Sequence, residues 1–148
     1  MVHPLADLLE PILEDAMFEA IQSGKQLRLP QLPTESIQMW PELLSRAIEN
    51  PLRTALKYAR EFIKVEWYRD GKEWVMTIRD DGPGVPDEQQ PLLFQPFFRV
   101  DDARNAKTGG TGLGLAIAAE AIQRHGGTIA ASNNHPTGLT VTIKLPVA

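Results

Sequence analysis

Residues 49–58 read Glu49-Asn50-Pro51-Leu52-Arg53-Thr54-Ala55-Leu56-Lys57-Tyr58, and residues 79–85 read Arg79-Asp80-Asp81-Gly82-Pro83-Gly84-Val85. Around the first stretch, Leu44, Ala47, Ile48, Leu52, Ala55, Leu56 and Ala59 recur at helical spacing and form an apolar stripe. Asn50, Thr54 and Lys57 stand at i, i+4 and i+7 and line a different face. Oxygen-bearing side chains beside a lysine suit a cation and phosphates; taken alone, they suit a solvated helix face equally well. The second stretch follows an alternating run in which Trp74, Met76 and Ile78 share one strand face. Gly82 and Gly84 let the backbone turn sharply and let a flat ligand approach closely. A carboxylate placed there can accept a hydrogen bond from an exocyclic amine. Taken alone, Asp, Gly and Pro also make a plain turn.

Outward from these stretches, the periodicity predicts a first helix over residues 5–23, stopped by Gly24, and a short strand over 26–29. Two prolines mark residues 30–36 as a loop. The second helix is predicted from Pro41, a favoured first-turn residue, to about residue 59, with Pro51 in its interior as a source of a kink. Ile63, Val65 and Trp67 share a strand face, and Asp70-Gly71 signals the hairpin to the next strand. A third helix is predicted from about Gly112 to Gly126-Gly127. A second hairpin over 128–132 and 139–145 turns through His135-Pro136-Thr137-Gly138. The alternation predicts an α/β chain, an α+β two-layer sandwich with helices packed on one face of a mixed sheet.

Composition narrows the function classes. The chain has 148 residues, of which 43% are apolar, enough for one core. Its net charge of −4, with Lys and Arg scattered, argues against nucleic acid as a partner. It has no cysteine, which excludes disulfides, thiolate metal sites and a thiol nucleophile. No apolar run approaches the length of a membrane span. His3, His125 and His135 are followed by proline, glycine and proline, and read as surface or turn residues.

Two further clusters complete the pattern. Leu93-Phe94-Gln95-Pro96-Phe97-Phe98-Arg99 either anchors a mobile segment or belongs to the core, and Arg99 and Arg104 flank a polar stretch from which guanidinium groups could reach phosphate. Residues 101–110 are expected to order only around a ligand. Gly109-Gly110-Thr111-Gly112-Leu113-Gly114-Leu115 opens the third helix, where bare N–H groups and the helix dipole favour phosphate. No Gly-Lys-Ser/Thr follows, so it is not a Walker loop, and it lacks the setting of a dinucleotide fingerprint.

In this order and spacing, the clusters resemble the N, G1, F and G2 boxes of the ATP-binding catalytic domain of bacterial sensor histidine kinases. The detail is closest to the Cpx-type kinases, particularly Phe98-Arg99-Val100-Asp101-Asp102-Ala103-Arg104. The resemblance covers nearly the whole chain and implies the Bergerat fold shared with gyrase, Hsp90 and MutL. It implies ATP as ligand, with Asp80 receiving the adenine amino group, Gly82 and Gly84 shaping the base pocket and Tyr58 packing beside base or sugar. Asn50 and Lys57 would meet the phosphates. Arg99 and Arg104 would neutralise γ-phosphate charge. Thr108, Gly110, Thr111, Gly112, Leu113 and Gly114 would border the phosphates. Mg²⁺ is implied at Asn50 and the next N-box position, where the family has a second asparagine and this chain has Thr54. A hydroxyl can bind Mg²⁺ but reaches less far than an amide carbonyl, so two expectations stand: a competent kinase part, or a degenerate nucleotide-binding regulatory module. Trp40, where the family often has aspartate, reads as core or surface packing.

The resemblance further implies that residues 1–148 form one catalytic domain of a longer kinase. The sensor, transmembrane and phosphoacceptor segments would lie elsewhere. The expected partners are the dimerisation domain that carries the phosphoacceptor histidine and, through it, a response regulator. The full protein would be a homodimer on the cytoplasmic face of the inner membrane; this piece would be soluble and monomeric, unable to phosphorylate itself.

Overall fold

The computed structural model describes residues 1–95 and 114–148. Helix α1 (Leu5–Gln22) buries Leu5, Leu8, Leu9, Ile12, Leu13, Ala16 and Ala20, the stripe set by three- and four-residue spacing. Its interior proline, Pro11, lies on the exposed side. Gly24 adopts a left-handed φ of +69° and ends the helix, and the Lys25 N–H returns to Ala20 O at 2.9 Å. Helix α2 (Pro41–Tyr58) runs on through Pro51, which is buried with Leu44, Ala47, Ile48, Leu52, Ala55 and Leu56. Helix α3 (Gly114–Arg124) buries Ala118, Ala119, Ala121 and Ile122 and closes at Gly126, φ +76°.

Strands β2 (Gln26–Arg28), β4 (Phe62–Asp70), β5 (Glu73–Asp80), β6 (Thr128–Asn133) and β7 (Leu139–Pro146) form one sheet in the order β2-β4-β5-β7-β6. The β2–β4 pair is parallel and the others are antiparallel, so the sheet is mixed as expected. Register aligns Trp67, Met76, Ile143 and Ile129 across four strands, and Val65, Ile78, Val141 and Ala131 beside them. This row faces the helices, and Trp74, Met76, Ile122 and Ile143 are wholly buried. Each such side chain contributes roughly 1.5–3 kcal/mol of burial free energy.

Three elements differ from the sequence expectation. Strands β1 (Val2–Pro4) and β3 (Ser36–Gln38) form a separate antiparallel pair, so the second of these takes over the end of the predicted loop. Residues 87–92 form a short 3-10 helix (Asp87–Leu92) beside β6, where no element was predicted. Among the described residues no helix is long and apolar enough to cross a membrane.

Candidate nucleotide site

Asp80 is the last residue of β5 and follows Trp74, Met76 and Ile78 at two-residue intervals. It therefore points to the helix side of the sheet, at its rim, and is only 4% exposed. A buried carboxylate needs hydrogen-bond donors. One of them is the Gly82 N–H, which reaches Asp80 Oδ1 at 2.8 Å. This bond curls residues 80–82 back on themselves. Gly82 is required here for a second reason: a Cβ would overlap the carbonyl oxygen of Tyr58. The loop after β5 thus sits directly against the last residue of α2.

Two side chains secure that junction. Asp81 accepts from the Arg60 N–H at 2.7 Å and from the Glu61 N–H at 3.0 Å, tying the α2–β4 turn to the loop. Lys25 donates from Nζ to Leu56 O at 2.5 Å, taking up one of the unpaired carbonyls at the C-terminus of α2. Lys57, in that last turn, keeps an exposed side chain.

Farther back on α2, Asn50 donates from Nδ2 to Gly114 O at 3.0 Å, joining α2 to the first residue of α3. That bond turns Asn50 Oδ1 away from Gly114. Thr54 lies one turn on and donates its hydroxyl to Asn50 O at 2.9 Å. The two side chains predicted to share a cation are therefore neighbours on α2, with Asn50 at the start of α3, and the Thr54 oxygen retains acceptor lone pairs. Neutral oxygens of this kind suit Mg²⁺, which keeps several waters and shares its sphere with phosphate.

The structure thus brings Asn50 against Gly114, with Thr54 bonded to Asn50 one turn along α2, and sets Gly82 against the backbone of Tyr58 with Asp80 bonded to that glycine. Arg99, Arg104, Thr108, Gly110, Thr111, Gly112 and Leu113 lie outside the described residues, as does the segment 101–110 that was expected to order around a ligand. Of the aromatic cluster, Leu93 is buried and Phe94 packs partly buried on the core.

Sequence reasoning missed the far wall of the loop. Gly84, at φ +73°, abuts Asn133 and Gly138. Asn133 brackets Val85 with both ends of its amide, accepting from the N–H at 2.9 Å and donating to the carbonyl at 2.6 Å. Asn134 donates to Asp80 O at 3.0 Å, and the Thr137 hydroxyl donates to Gly82 O at 2.6 Å. The only available signal was a run of polar turn residues, which looks like any other hairpin end.

His125 stands in the turn that follows α3, as the sequence reading allowed, but the surface half of that reading is corrected: the residue is 7% exposed. Its Nε2 accepts from the Trp40 N–H at 3.1 Å, which places the ring proton on Nδ1, 2.7 Å from Ala121 O. Trp40, extended at the head of α2, has no side-chain cap of its own. His125 supplies one from the end of α3, and the two rings meet edge-on at 5.3 Å. Trp40 itself is a surface residue, 60% exposed.

Helices on one face of a mixed sheet, a buried rim carboxylate and a glycine loop packed on a polar helix define a GHKL-type nucleotide-binding domain. A family profile described as "Histidine kinase-, DNA gyrase B-, and HSP90-like ATPase" matches residues 39–148, and the chain belongs to that family. It is 41% identical over 142 residues to the sensor histidine kinase CpxA of Escherichia coli strain K12, covering 95% of this chain and 31% of CpxA. The chain therefore spans about a third of the length of the curated relatives it matches (31%). The mycobacterial sensor histidine kinase MprB superposes with a TM-score of 0.88 at 26% identity, covering 99% of this chain and 98% of that one. The ATP-binding domain of PrrB from Mycobacterium tuberculosis superposes with a TM-score of 0.77 at 26% identity, covering 100% and 97%. The part of the sensor kinases to which this chain corresponds is the ATP-binding catalytic domain.

Proposed function

We propose that this chain binds ATP between α2, the loop at residues 80–85 and the start of α3. Within a longer two-component kinase, it would present the γ-phosphoryl group to a histidine of the dimerisation domain. The observation that carries the reading is Asp80: a buried carboxylate at the sheet rim, beside a glycine packed too closely for any side chain. A carboxylate in that position accepts from the exocyclic amine of adenine, while the flat base lies against the bare backbone of Gly82 and Gly84. Tyr58 flanks base or sugar. Asn50 and Lys57 face the phosphates, and Arg99 and Arg104 supply positive charge to the γ-phosphate. Gly110, Gly112 and Gly114 bring backbone N–H groups toward the phosphates.

Asn50 and Thr54 would hold Mg²⁺, which when bound neutralises phosphate charge. In the transfer, the bond from the γ-phosphorus to the bridging oxygen breaks, ADP departs, and a bond to the histidine nitrogen forms. The protein's share is positioning and electrostatics, since this chemistry needs no covalent enzyme intermediate. The histidine, the sensor and the membrane segments would belong to the rest of the kinase. It would work as a homodimer at the cytoplasmic face of the inner membrane and pass phosphate to a response regulator.

A second reading, a degenerate module that holds nucleotide for regulated docking, draws on Thr54, whose hydroxyl reaches less far toward a cation than the amide carbonyl of an asparagine. The test mixes the chain with γ-labelled ATP and a dimerisation domain carrying its histidine. Label on that histidine, lost on Asp80→Asn, supports the kinase. ATP binding with no label transferred favours the second reading, and no ATP binding overturns both.

A further inference from the structure

We infer that the β6–β7 turn is a positioning clamp for the base-recognition loop, and that Asn134 and Thr137 set adenine affinity without touching nucleotide. The inference rests on the assignment of residues 80–85 to the base. The register of β5 with β7 stops at Arg79 and Thr140, one residue short of Asp80. Asp80 remains in register with Ile63 of β4, and on its β7 side it is met by side chains of the β6–β7 turn. Asn134 Nδ2 donates to Asp80 O at 3.0 Å. The orientation of that side-chain amide is determined, because Asp80 O can only accept; Asn134 Oδ1 then accepts the Thr140 hydroxyl, and the backbone N–H of Asn134 is bonded to Gly138 O at 2.8 Å. Gly138, at φ +109°, closes the approach: a Cβ would overlap Asp80 O.

The next two contacts continue along the loop. Thr137 Oγ1 donates to Gly82 O at 2.6 Å, and Asn133 brackets Val85 on both its N–H and its carbonyl. Every second or third backbone unit of the loop is thus tied to one turn. Opposite them, Asp81 ties the loop to the α2–β4 turn. The loop is held from both sides with Asp80 between, and the direction of the Asp80 carboxylate follows from where Gly82 stands, because the Gly82 N–H is bonded to it. Freeing Gly82 O would let Gly82 and the carboxylate drift together. That loss falls on the base and spares the phosphates, which are met at Asn50 and Gly114 on the α2–α3 side.

The test is calorimetric titration of the chain and its variants with ATP and, separately, with inorganic tripolyphosphate. Thr137→Val keeps the shape and removes the donor; Asn134→Asp keeps the acceptor for Thr140 and removes the donor to Asp80 O. Each is expected to raise the Kd for ATP about tenfold, with tripolyphosphate affinity within about twofold of the parent and with unchanged stoichiometry. Thr137→Ser, which retains the hydroxyl, is expected to restore ATP affinity. Equal losses for both ligands, or ATP affinity within about twofold of the parent in both variants, would overturn the clamp. In that second case the parent still binds ATP, which separates failure of the clamp from failure of the nucleotide reading, where the parent binds none. Amide exchange in the unaltered chain gives an independent check that no folding defect can blur. The Val85 N–H should be protected by Asn133, and exchange at the free-chain rate would overturn the inference.

Discussion

Replacing Asp80 by asparagine exchanges one carboxylate oxygen for an NH₂ group, which turns an acceptor into a donor and removes the charge. The side chain is 4% exposed, so solvent cannot compensate for a lost partner. One carboxylate oxygen accepts the Gly82 N–H at 2.8 Å. Asparagine would keep its own oxygen on that donor, since the alternative sets its NH₂ against an N–H. The amide nitrogen then occupies the place of the second oxygen and presents hydrogens to the adenine amine, donor against donor. A hydrogen bond to a charged group contributes about 1.5–3 kcal/mol, so ATP affinity is expected to fall by roughly tenfold to a hundredfold or more. Calorimetry measures Kd and stoichiometry together, and a thermal melt on the same sample shows that the variant is folded. Tripolyphosphate affinity serves as the control and should hold. A folded Asp80→Asn protein with unchanged ATP affinity would refute the adenine assignment.

Three other outcomes follow from the same geometry. Thr54→Asn puts a longer acceptor beside Asn50, so the Mg²⁺-dependent part of ATP affinity should rise; if the Thr54 chain already shows strong Mg²⁺ dependence and asparagine adds nothing, Thr54 is a working ligand. Gly82→Ala would drive a Cβ into Tyr58 O; a stability loss of about 1–3 kcal/mol in urea denaturation is expected, together with weaker ATP binding, and a neutral result would show that the loop can retreat from α2. His125→Ala would leave the Trp40 N–H and the head of α2 without their acceptor, costing about 1–3 kcal/mol of unfolding free energy with ATP affinity preserved, because this contact lies at the other end of α3 from Gly114 and ten residues before Asn50 on α2; a large change in Kd would contradict that separation.

The sheet and helix pattern was legible wherever periodicity runs long enough. The α2 stripe from Leu44 to Leu56 and the alternation of Trp74, Met76 and Ile78 both lie where the sequence placed them. The same alternation carried one residue pair further would have put Asp80 on the buried face, a signal stronger than the turn-forming composition around it. Strands β1 and β3 escaped because three residues each, one set ending in Pro4, show no alternation. The placement of β2 beside β4 is a long-range parallel pairing that no local pattern encodes. The glycines after His125 signal its turn correctly, but its burial was not legible, because it depends on Trp40, 85 residues away in sequence. Asn133, Asn134 and Thr137 were passed over for the same reason: their partners lie some fifty positions back along the chain, at separations of 48, 54 and 55 residues.

Everything proposed here depends on recognition of the adenine of ATP by Asp80 and the loop at residues 80–85. Titrating the unaltered chain with ATP and with GTP in parallel, each with Mg²⁺ and with chelator, tests it most directly. GTP carries the same phosphates but sets a carbonyl where adenine has its amine, so a carboxylate acceptor there meets an acceptor. The account predicts saturable one-to-one ATP binding and GTP binding at least about tenfold weaker. Equal affinity for the two nucleotides, or no heat with either, would contradict it.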